Sequence, residues 1–126
     1  AYSYGEKIGM AFQLVDDALD FSSPSSVFGK PSRGADLRQG VTTAPVLFAL
    51  QENSAIREYM ERKYSKEGDV DFVLGQVEEH KGVEKTLELA HAYAADAVHE
   101  LCSVFPASKY RSGLVNLAAY VLGRSH

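Results

Sequence analysis

The sequence contains one cysteine, no long hydrophobic run and no excess of basic residues. Cys102 cannot form an intrachain disulfide, and its neighbours Val98, Leu101 and Val104 predict a buried, unreactive thiol. No segment is long and apolar enough to cross a bilayer, so we expect no transmembrane segment. The formal net charge is −4, whereas a nucleic-acid-binding protein would carry a basic patch. We therefore expect neither a membrane-spanning protein nor a partner of nucleic acid.

The chain also begins without an initiator methionine and without a recognisable signal peptide. Because its first residues already fit the interior of a helix, we expect a fragment of a longer protein. Its 126 residues, of which 45% are hydrophobic and 24% charged, are enough for one modest domain with a core.

Helical periodicity is present along almost the whole chain, and no segment alternates as a strand would. Residues 22–35, which contain two prolines, two glycines and five serines, are predicted to form a long loop. The other connections are short, which predicts an all-α fold of antiparallel helices. Helices are predicted over residues 3–21, 43–52, 54–64, 69–81, 83–104 and 108–122; the proposed caps are Thr42 or Thr43, Asn53 or Ser54, and Asp69, and Gly82 ends the fourth helix.

An acidic stripe lies near the end of the first predicted helix. Gln13, Asp16, Asp17 and Asp20 stand at positions i, i+3, i+4 and i+7, which places them on one helical face. No Lys, Arg or His occurs between residues 8 and 29. Carboxylates one turn apart repel by roughly 0.2–0.5 kcal/mol per pair on an exposed helix, so the stripe predicts a bound cation. The opposite side is apolar and is predicted to pack in a core through Ile8, Ala11, Phe12, Val15, Ala18 and Leu19.

Magnesium suits this arrangement better than other metals do. Mg²⁺ prefers oxygen ligands and is usually held by one or two carboxylates plus substrate phosphates. Asp16 and Asp20 could share such an ion, with Asp17 at the edge of the stripe and the Gln13 amide available to a phosphate oxygen. Calcium would require a twelve-residue loop, and zinc would require nearby Cys or His. The competing interpretation is a solvated helix face with three acids.

The loop that follows favours the metal site over the solvated face. Gly29, Lys30 and Pro31 place one cation beyond the acidic helix, and a lysine ammonium is a point charge suited to phosphate. Asp36 then precedes the next helix. An acidic stripe, a loop lysine and a further acid together indicate a site for a metal and a diphosphate.

These residues resemble a known family. The pattern from Phe12 to Asp20 resembles the second aspartate-rich motif of the trans-type polyprenyl diphosphate synthases. It is Phe12-Gln13-x-x-Asp16-Asp17-x-x-Asp20, and it is followed, in the family's order, by Gly29-Lys30-Pro31, Asp36-Leu37 and Gly40-x-Thr42-x-x-Pro45. The resemblance implies that residues 1–126 are the C-terminal portion of one synthase domain with the isoprenoid-synthase helical fold.

Within the family, the run from Gly40 to Ala49 looks most similar to the long-chain synthases that make the ubiquinone side chain. Many shorter-chain members carry, at the position of Val41, a lysine that contacts the diphosphate. The ubiquinone group typically has an apolar residue there, so Val41 indicates that subgroup. A mitochondrial location is expected if this subgroup is correct, and a cytoplasmic one otherwise.

The resemblance implies a reaction and a role for each site residue. An Mg²⁺-dependent prenyltransferase elongates an allylic diphosphate with isopentenyl diphosphate, and metal and lysine stabilise the charge on the departing diphosphate. Asp16, Asp17 and Asp20 are expected to hold the metal directly or through water. Gln13 and Lys30 are expected to contact the allylic diphosphate, and Asp36 to orient Lys30 or a metal-bound water.

The family's first aspartate-rich motif is absent from these 126 residues. We therefore expect the chain alone to be inactive. We also expect the protein to be a homo- or hetero-oligomer. Two other interpretations share the acidic helix. A non-catalytic or regulatory subunit of a prenyl synthase would be expected to have lost acids or the loop lysine. A terpene cyclase fragment would lack the Gly29-Lys30-Pro31 and Thr42-x-x-Pro45 segments.

Overall fold

The predicted all-α class is confirmed. The computed structural model describes residues 2–22, 34–104 and 106–123, and within these ranges every regular element is a helix. None of the helices there combines the length and apolar character that crossing a bilayer requires. The helices are α1 (Tyr2–Ser22), α2 (Ala35–Arg38), α3 (Ala44–Glu52), α4 (Ile56–Glu61), α5 (Asp69–Glu79), α6 (Gly82–Val104) and α7 (Lys109–Gly123).

One of two compact units comprises residues 1–16 and 87–126. It contains the first part of α1, most of α6, and α7. The α6 side of its core is lined by small residues, of which Ala90, Ala94 and Ala97 are fully buried. Polar contacts add to this packing, because Glu100 of α6 accepts a hydrogen bond from Lys7 at 2.8 Å and another from Ser3 at 3.0 Å.

The second unit, residues 17–86, contains the end of α1, helices α2 to α5 and the first residues of α6. Aliphatic and aromatic side chains from all of these helices form its core. Burial of such side chains is the main contribution to the stability of a domain of this size. The fully or nearly fully buried members of the core are Phe21, Leu37, Val46, Ala49, Ile56, Tyr64, Val73, Leu74 and Val77.

Several predicted boundaries differ from the structure. The four-residue helix α2 begins at the last residue of the predicted loop and covers residues 35–38, where no helix is predicted. Helix α4 ends at Glu61, three residues earlier than expected. Asp69 is the first residue of α5 and not its cap, which is Gly68 in a left-handed conformation (φ 87°). Gly82 does not end α5. Lys81 takes the left-handed conformation (φ 57°), and Gly82 begins α6.

Three burial predictions are also wrong. Cys102 is exposed although apolar residues surround it in the sequence. Phe12, predicted to pack in the core, is 42% exposed on α1. The helical spacing of Leu114, Leu117, Ala118, Val121 and Leu122 predicts that they face inward, but Leu117 is 44% exposed on α7. The periodic pattern predicts the helix correctly in each case. It does not specify which part of an apolar face other helices cover.

An ion pair joins the end of α4 to the start of α5. The Arg62 guanidinium donates two hydrogen bonds, at 2.8 and 2.7 Å, to the two carboxylate oxygens of Asp69. The backbone N–H of Lys66 donates a third, at 3.0 Å. Arg62 also lies over the Tyr59 ring, 4.5 Å from its centroid. These hydrogen bonds from Arg62 are the main reason that the pKa of Asp69 is lowered from its ordinary value of 3.8.

The Asp69 ion pair predicts a pH-dependent stability. A lowered folded-state pKa means that the carboxylate stabilises the fold above about pH 4. This stabilisation is lost as the pH falls through the folded-state pKa. Asp69→Asn should therefore lower the Tm at pH 7 by on the order of 10 °C. The difference from wild type should shrink as the pH is lowered towards 2.5 in a thermal-unfolding series.

Asp71→Asn is the matched control, because Asp71 is an exposed acid on the same helix. It should change the Tm by no more than about 2 °C at either pH. A Tm loss for Asp69→Asn that is equally large at both ends of the pH series would contradict the assignment.

Candidate functional site

The acidic stripe predicted on α1 is helical throughout, since α1 runs without interruption from Tyr2 to Ser22. Gln13 and the three aspartates therefore share one helical face, as their spacing requires. Asp16, Asp17 and Asp20 are half-buried and Gln13 is exposed.

Asp20 binds the start of α2 through both its side chain and its backbone. Its Oδ1 accepts a hydrogen bond from the Ala35 N–H at 3.2 Å, and its Oδ2 accepts one from the Asp36 N–H at 3.3 Å. Its carbonyl oxygen accepts a third, from the Gly34 N–H at 3.0 Å. Asp20 thus supplies the acceptors for N–H groups that a helix cannot satisfy within its own first turn.

Gly34 allows this close contact. Its φ of 74° lies in the left-handed region, where residues with a Cβ are strained. A Cβ at this position would also meet the Leu74 Cδ2 atom at 3.0 Å. The chain can therefore turn into α2 directly beside Asp20.

Three carboxylates interact electrostatically at this junction. The pKa of Asp20 is raised above its usual 3.8, first by burial and further by the negative charges of Asp36 and Asp17. The hydrogen bonds from the Asp36 and Ala35 N–H groups oppose the rise. We call Asp17, Asp20 and Asp36 the acidic cluster.

The donor chemistry of the acidic cluster fits Mg²⁺, because every side-chain donor is a carboxylate oxygen. Among the described residues, no three Asp, Glu, His or Cys side chains are arranged to hold an ion by themselves. An ion at this position would need further ligands such as phosphate oxygens and water. Mg²⁺ in phosphate-transferring sites typically has such a ligand set.

The structure brings together some of the predicted site residues. Asp20 contacts the Asp36 backbone directly, and the negative charge of Asp17 is near enough to raise the pKa of Asp20. Lys30, predicted to bind the diphosphate, lies outside the described residues, as do its neighbours Gly29 and Pro31. The role of Asp36 in orienting Lys30 stays a prediction.

The segment between α2 and α3 continues from the acidic cluster. The Val41 N–H donates to the Asp36 carbonyl oxygen at 2.8 Å, and Val41 is 47% exposed. Thr42 shares a hydrogen bond of 2.6 Å with the buried Tyr64, and sequence reasoning missed this contact. Thr43 is the N-cap residue of α3, one of the two positions predicted, but its side chain makes no cap hydrogen bond. Its buried Oγ1 has no hydrogen-bond partner among the described residues.

Comparison with protein families matches residues 1–77 to the family model described as "Polyprenyl synthetase". A "Prenyl transferase" of Synechocystis sp. is 43% identical over 125 residues, which are 99% of this chain and 38% of that protein. The human "All trans-polyprenyl-diphosphate synthase PDSS1" is 43% identical over 98% of this chain and 29% of its own length. The "Hexaprenyl pyrophosphate synthase, mitochondrial" of Saccharomyces cerevisiae is 42% identical over 98% of this chain and 26% of its own length.

Solved structures show the same fold. A medium/long-chain length prenyl pyrophosphate synthase from Arabidopsis, in its apo form, superposes with a TM-score of 0.82 at 32% identity, covering 99% of this chain and 43% of that one. A polyprenyl synthase from Caulobacter crescentus, "complexed with calcium and isoprenyl diphosphate", gives a TM-score of 0.75 at 32% identity, covering 98% of this chain and 39% of that one. The chain therefore spans less than half the length of each of these proteins.

Proposed function

The chain belongs to the polyprenyl synthetase family, and on this basis we propose that it is the C-terminal helical portion of an enzyme that elongates an allylic diphosphate with isopentenyl diphosphate. It corresponds to 38% of the length of the Synechocystis relative and 26% of the yeast one. The reaction is therefore assigned to the full-length protein, and the 126-residue chain alone is predicted not to perform it.

The observation that carries the proposal is the acidic cluster where α1 meets α2. The Asp20 carboxylate lies directly against the Ala35 and Asp36 N–H groups at the start of α2. Burial raises the pKa of Asp20 first, and the negative charges of Asp36 and Asp17 raise it further. A divalent cation would lower the energy of such a cluster, and a diphosphate would share the cation. The family match gives this local chemistry its reaction class.

The proposed metal is Mg²⁺, which when bound neutralises charge that accumulates on a departing diphosphate. Asp16, Asp17 and Asp20 would hold it. Asp20 is oriented for this role because the N–H groups of Ala35 and Asp36 fix both of its carboxylate oxygens. Fixed orientation of charged groups before the reaction contributes to electrostatic catalysis, since no reorganisation is needed as charge develops.

The other predicted residues would act on the substrate. The exposed Gln13 amide and the Lys30 ammonium would donate to oxygens of the allylic diphosphate. In the reaction, the bond between the allylic carbon and the diphosphate oxygen breaks, and the diphosphate leaves with the electron pair. The double bond of isopentenyl diphosphate attacks the resulting allylic cation, and loss of a proton completes a product five carbons longer.

We propose a long-chain product for ubiquinone synthesis and a mitochondrial location. The similarity to hexaprenyl pyrophosphate synthase of yeast, whose name includes "mitochondrial", and to human PDSS1 supports this choice. Val41 agrees with it, because the apolar residue stands where many shorter-chain members have a lysine. A homo- or hetero-oligomer is proposed for the working enzyme.

A binding experiment tests the proposed site. In the full-length protein, Asp17→Asn should weaken the Mg²⁺-dependent binding of inorganic pyrophosphate at least about tenfold, because a neutral amide is a poor ligand for a hard cation. Isothermal titration calorimetry with and without Mg²⁺ measures this change. Glu88→Gln, an exposed acid on α6, is the control and should bind as wild type does. Equal binding by wild type and Asp17→Asn would reject a metal role for Asp17.

A further inference from the structure

Two consecutive residues other than glycine adopt the left-handed backbone conformation between α4 and α5. Lys63 has a φ of 54° and Tyr64 a φ of 57°. Residues with a Cβ rarely occupy this region, and each such residue costs about two to five times the thermal energy. Such backbone strain persists where surrounding contacts require it. We call residues 63–64 the left-handed turn.

The left-handed turn packs against the segment between α2 and α3. Gly40 there has a φ of 83°, and a Cβ on it would meet the Lys63 Cβ at 3.2 Å and the Lys63 carbonyl oxygen at 3.5 Å. Next to this contact, the Tyr64 and Thr42 hydroxyls are 2.6 Å apart. The turn therefore holds residues 40–42 by a close backbone contact and by a hydrogen bond.

These held residues connect directly to the acidic cluster. The Val41 N–H donates to the carbonyl oxygen of Asp36, and the Asp36 N–H donates to the carboxylate of Asp20. A shift of Thr42 would thus be transmitted to the Asp20 carboxylate through two hydrogen bonds, one between backbone groups and one from a backbone N–H to the side chain. The chain of contacts runs from Tyr64 through Thr42, Val41 and Asp36 to Asp20.

We propose that Tyr64 is a positioning residue, whose hydroxyl, by its bond to Thr42, sets the position of residues 40–43 beside the acidic cluster and so the affinity for the substrate's diphosphate. This inference rests on the proposed function. Tyr64 itself is 5% exposed and belongs to the core, so it acts through Thr42 and not by touching substrate. A tyrosine hydroxyl is neutral at neutral pH and can donate a hydrogen bond, and burial raises the pKa of this phenol further.

The two parts of the Tyr64 side chain make different contacts. The ring fills the core, which anchors the turn, while the hydroxyl reaches the polar segment beside the acidic cluster. Buried tyrosines commonly combine an apolar ring with one hydrogen-bonded hydroxyl in this way. The ring and the hydroxyl can therefore be tested separately.

The test compares Tyr64→Phe with Thr42→Val and with the double variant in the full-length protein. Tyr64→Phe keeps the ring and removes the hydroxyl. It should raise the Kd for inorganic pyrophosphate with Mg²⁺ and the KM for the allylic diphosphate about three- to tenfold, the range for one lost hydrogen bond. The kcat should stay within about twofold. The double variant should be no worse than Thr42→Val alone, because both changes remove the same bond.

Two controls separate positioning from general stability. Tyr59→Phe removes a hydroxyl from a neighbouring ring, which stacks on Phe72 with 4.5 Å between centroids, and should leave Kd and KM unchanged. Thr42→Ser keeps the hydroxyl and should recover most of the affinity that Thr42→Val loses. The Tm of each variant, measured alongside, should fall by less than about 5 °C, so all are folded at the assay temperature.

The outcomes distinguish this inference from the proposed function. A wild-type protein that neither binds pyrophosphate with Mg²⁺ nor elongates an allylic diphosphate overturns both. A wild-type protein that does so, with Kd and KM unchanged in Tyr64→Phe, overturns only the positioning role. Additive losses in the double variant also overturn it, since the two hydroxyls would then act independently.

Discussion

Replacing Asp20 with alanine should lower the rate of chain elongation by the full-length protein at least about a hundredfold, comparable to losing one preorganised group from an electrostatic site. The change removes a carboxylate from the proposed metal site. It also removes the two acceptors that bind the Ala35 and Asp36 N–H groups. The start of α2, which includes Asp36, would lose its two hydrogen bonds to a side chain of α1.

Asp20→Asn separates these two contributions. Asparagine keeps one oxygen that can accept from an N–H group, but it has no charge and is a weak ligand for Mg²⁺. We expect the Tm of Asp20→Asn to stay close to that of wild type while elongation falls nearly as far as in Asp20→Ala. Steady-state rates with an allylic diphosphate and isopentenyl diphosphate, taken over a range of Mg²⁺ concentrations, measure the effect.

Asp71→Ala, an exposed acid on α5, is the control and should retain the wild-type rate. Retention of more than about half the rate by Asp20→Ala would contradict its place in the site. A full-length protein that is inactive alone but stimulates a separate synthase would instead favour the non-catalytic subunit.

Substituting Gly82 by alanine should destabilise the fold by about 3 kcal/mol, a large effect for one methyl group. A Cβ on Gly82 would lie 2.3 Å from the carbonyl oxygen of Pro45 and 3.1 Å from its carbonyl carbon. The colliding atoms belong to the backbone of α3, so no side-chain rotation can relieve the contact. Either α3 or the start of α6 must move.

Neighbouring contacts make that movement costly. The fully buried Thr86 hydroxyl donates to the Gly82 carbonyl oxygen at 2.7 Å, and Pro45 is also buried. Lys85 and Glu52 form an ion pair at 3.5 Å between the same two helices. Moving the helices apart would weaken this ion pair and open the core around the buried Thr86 and Pro45.

Thermal unfolding of the full-length protein measures this prediction, with an expected fall in Tm of about 4 °C. Gly75→Ala provides a control of opposite sign. Gly75 lies inside α5 with nothing within 4 Å of its Cβ position. Alanine there should stabilise the helix by up to about 1 kcal/mol. A Gly82→Ala protein as stable as wild type would show that the two helices do not approach as closely as described.

The secondary structure was largely predictable because helices depend on local spacing. The periodic apolar residues and the caps located α1, α3, α6 and α7 to within about two residues. The same periodicity placed Gln13 and the three aspartates of α1 on one face. The motifs from Phe12 to Pro45 were also readable in the linear sequence, and they indicated the family that the comparisons show.

Contacts between distant residues were not predictable. Asp20 accepts hydrogen bonds from the N–H groups of Ala35 and Asp36, which are 15 and 16 positions away in the sequence. No pattern in the intervening sequence predicts the short helix α2 that begins there. The bond between Thr42 and Tyr64 spans 22 positions. Gly82 looked like a helix terminator because glycine usually has that role, whereas here the approach of Pro45 requires it.

The sequence by itself determined the helical class, the acidic face of α1 and the family, since each depends on residue types at short, regular spacing. Only the tertiary structure decided that Asp20 binds α2, that Tyr64 holds Thr42, and that Cys102 is exposed. The physical reason is that a side chain's partners and burial depend on which helices pack beside it. Packing of helices far apart in the chain is a property of the whole fold and not of any one segment.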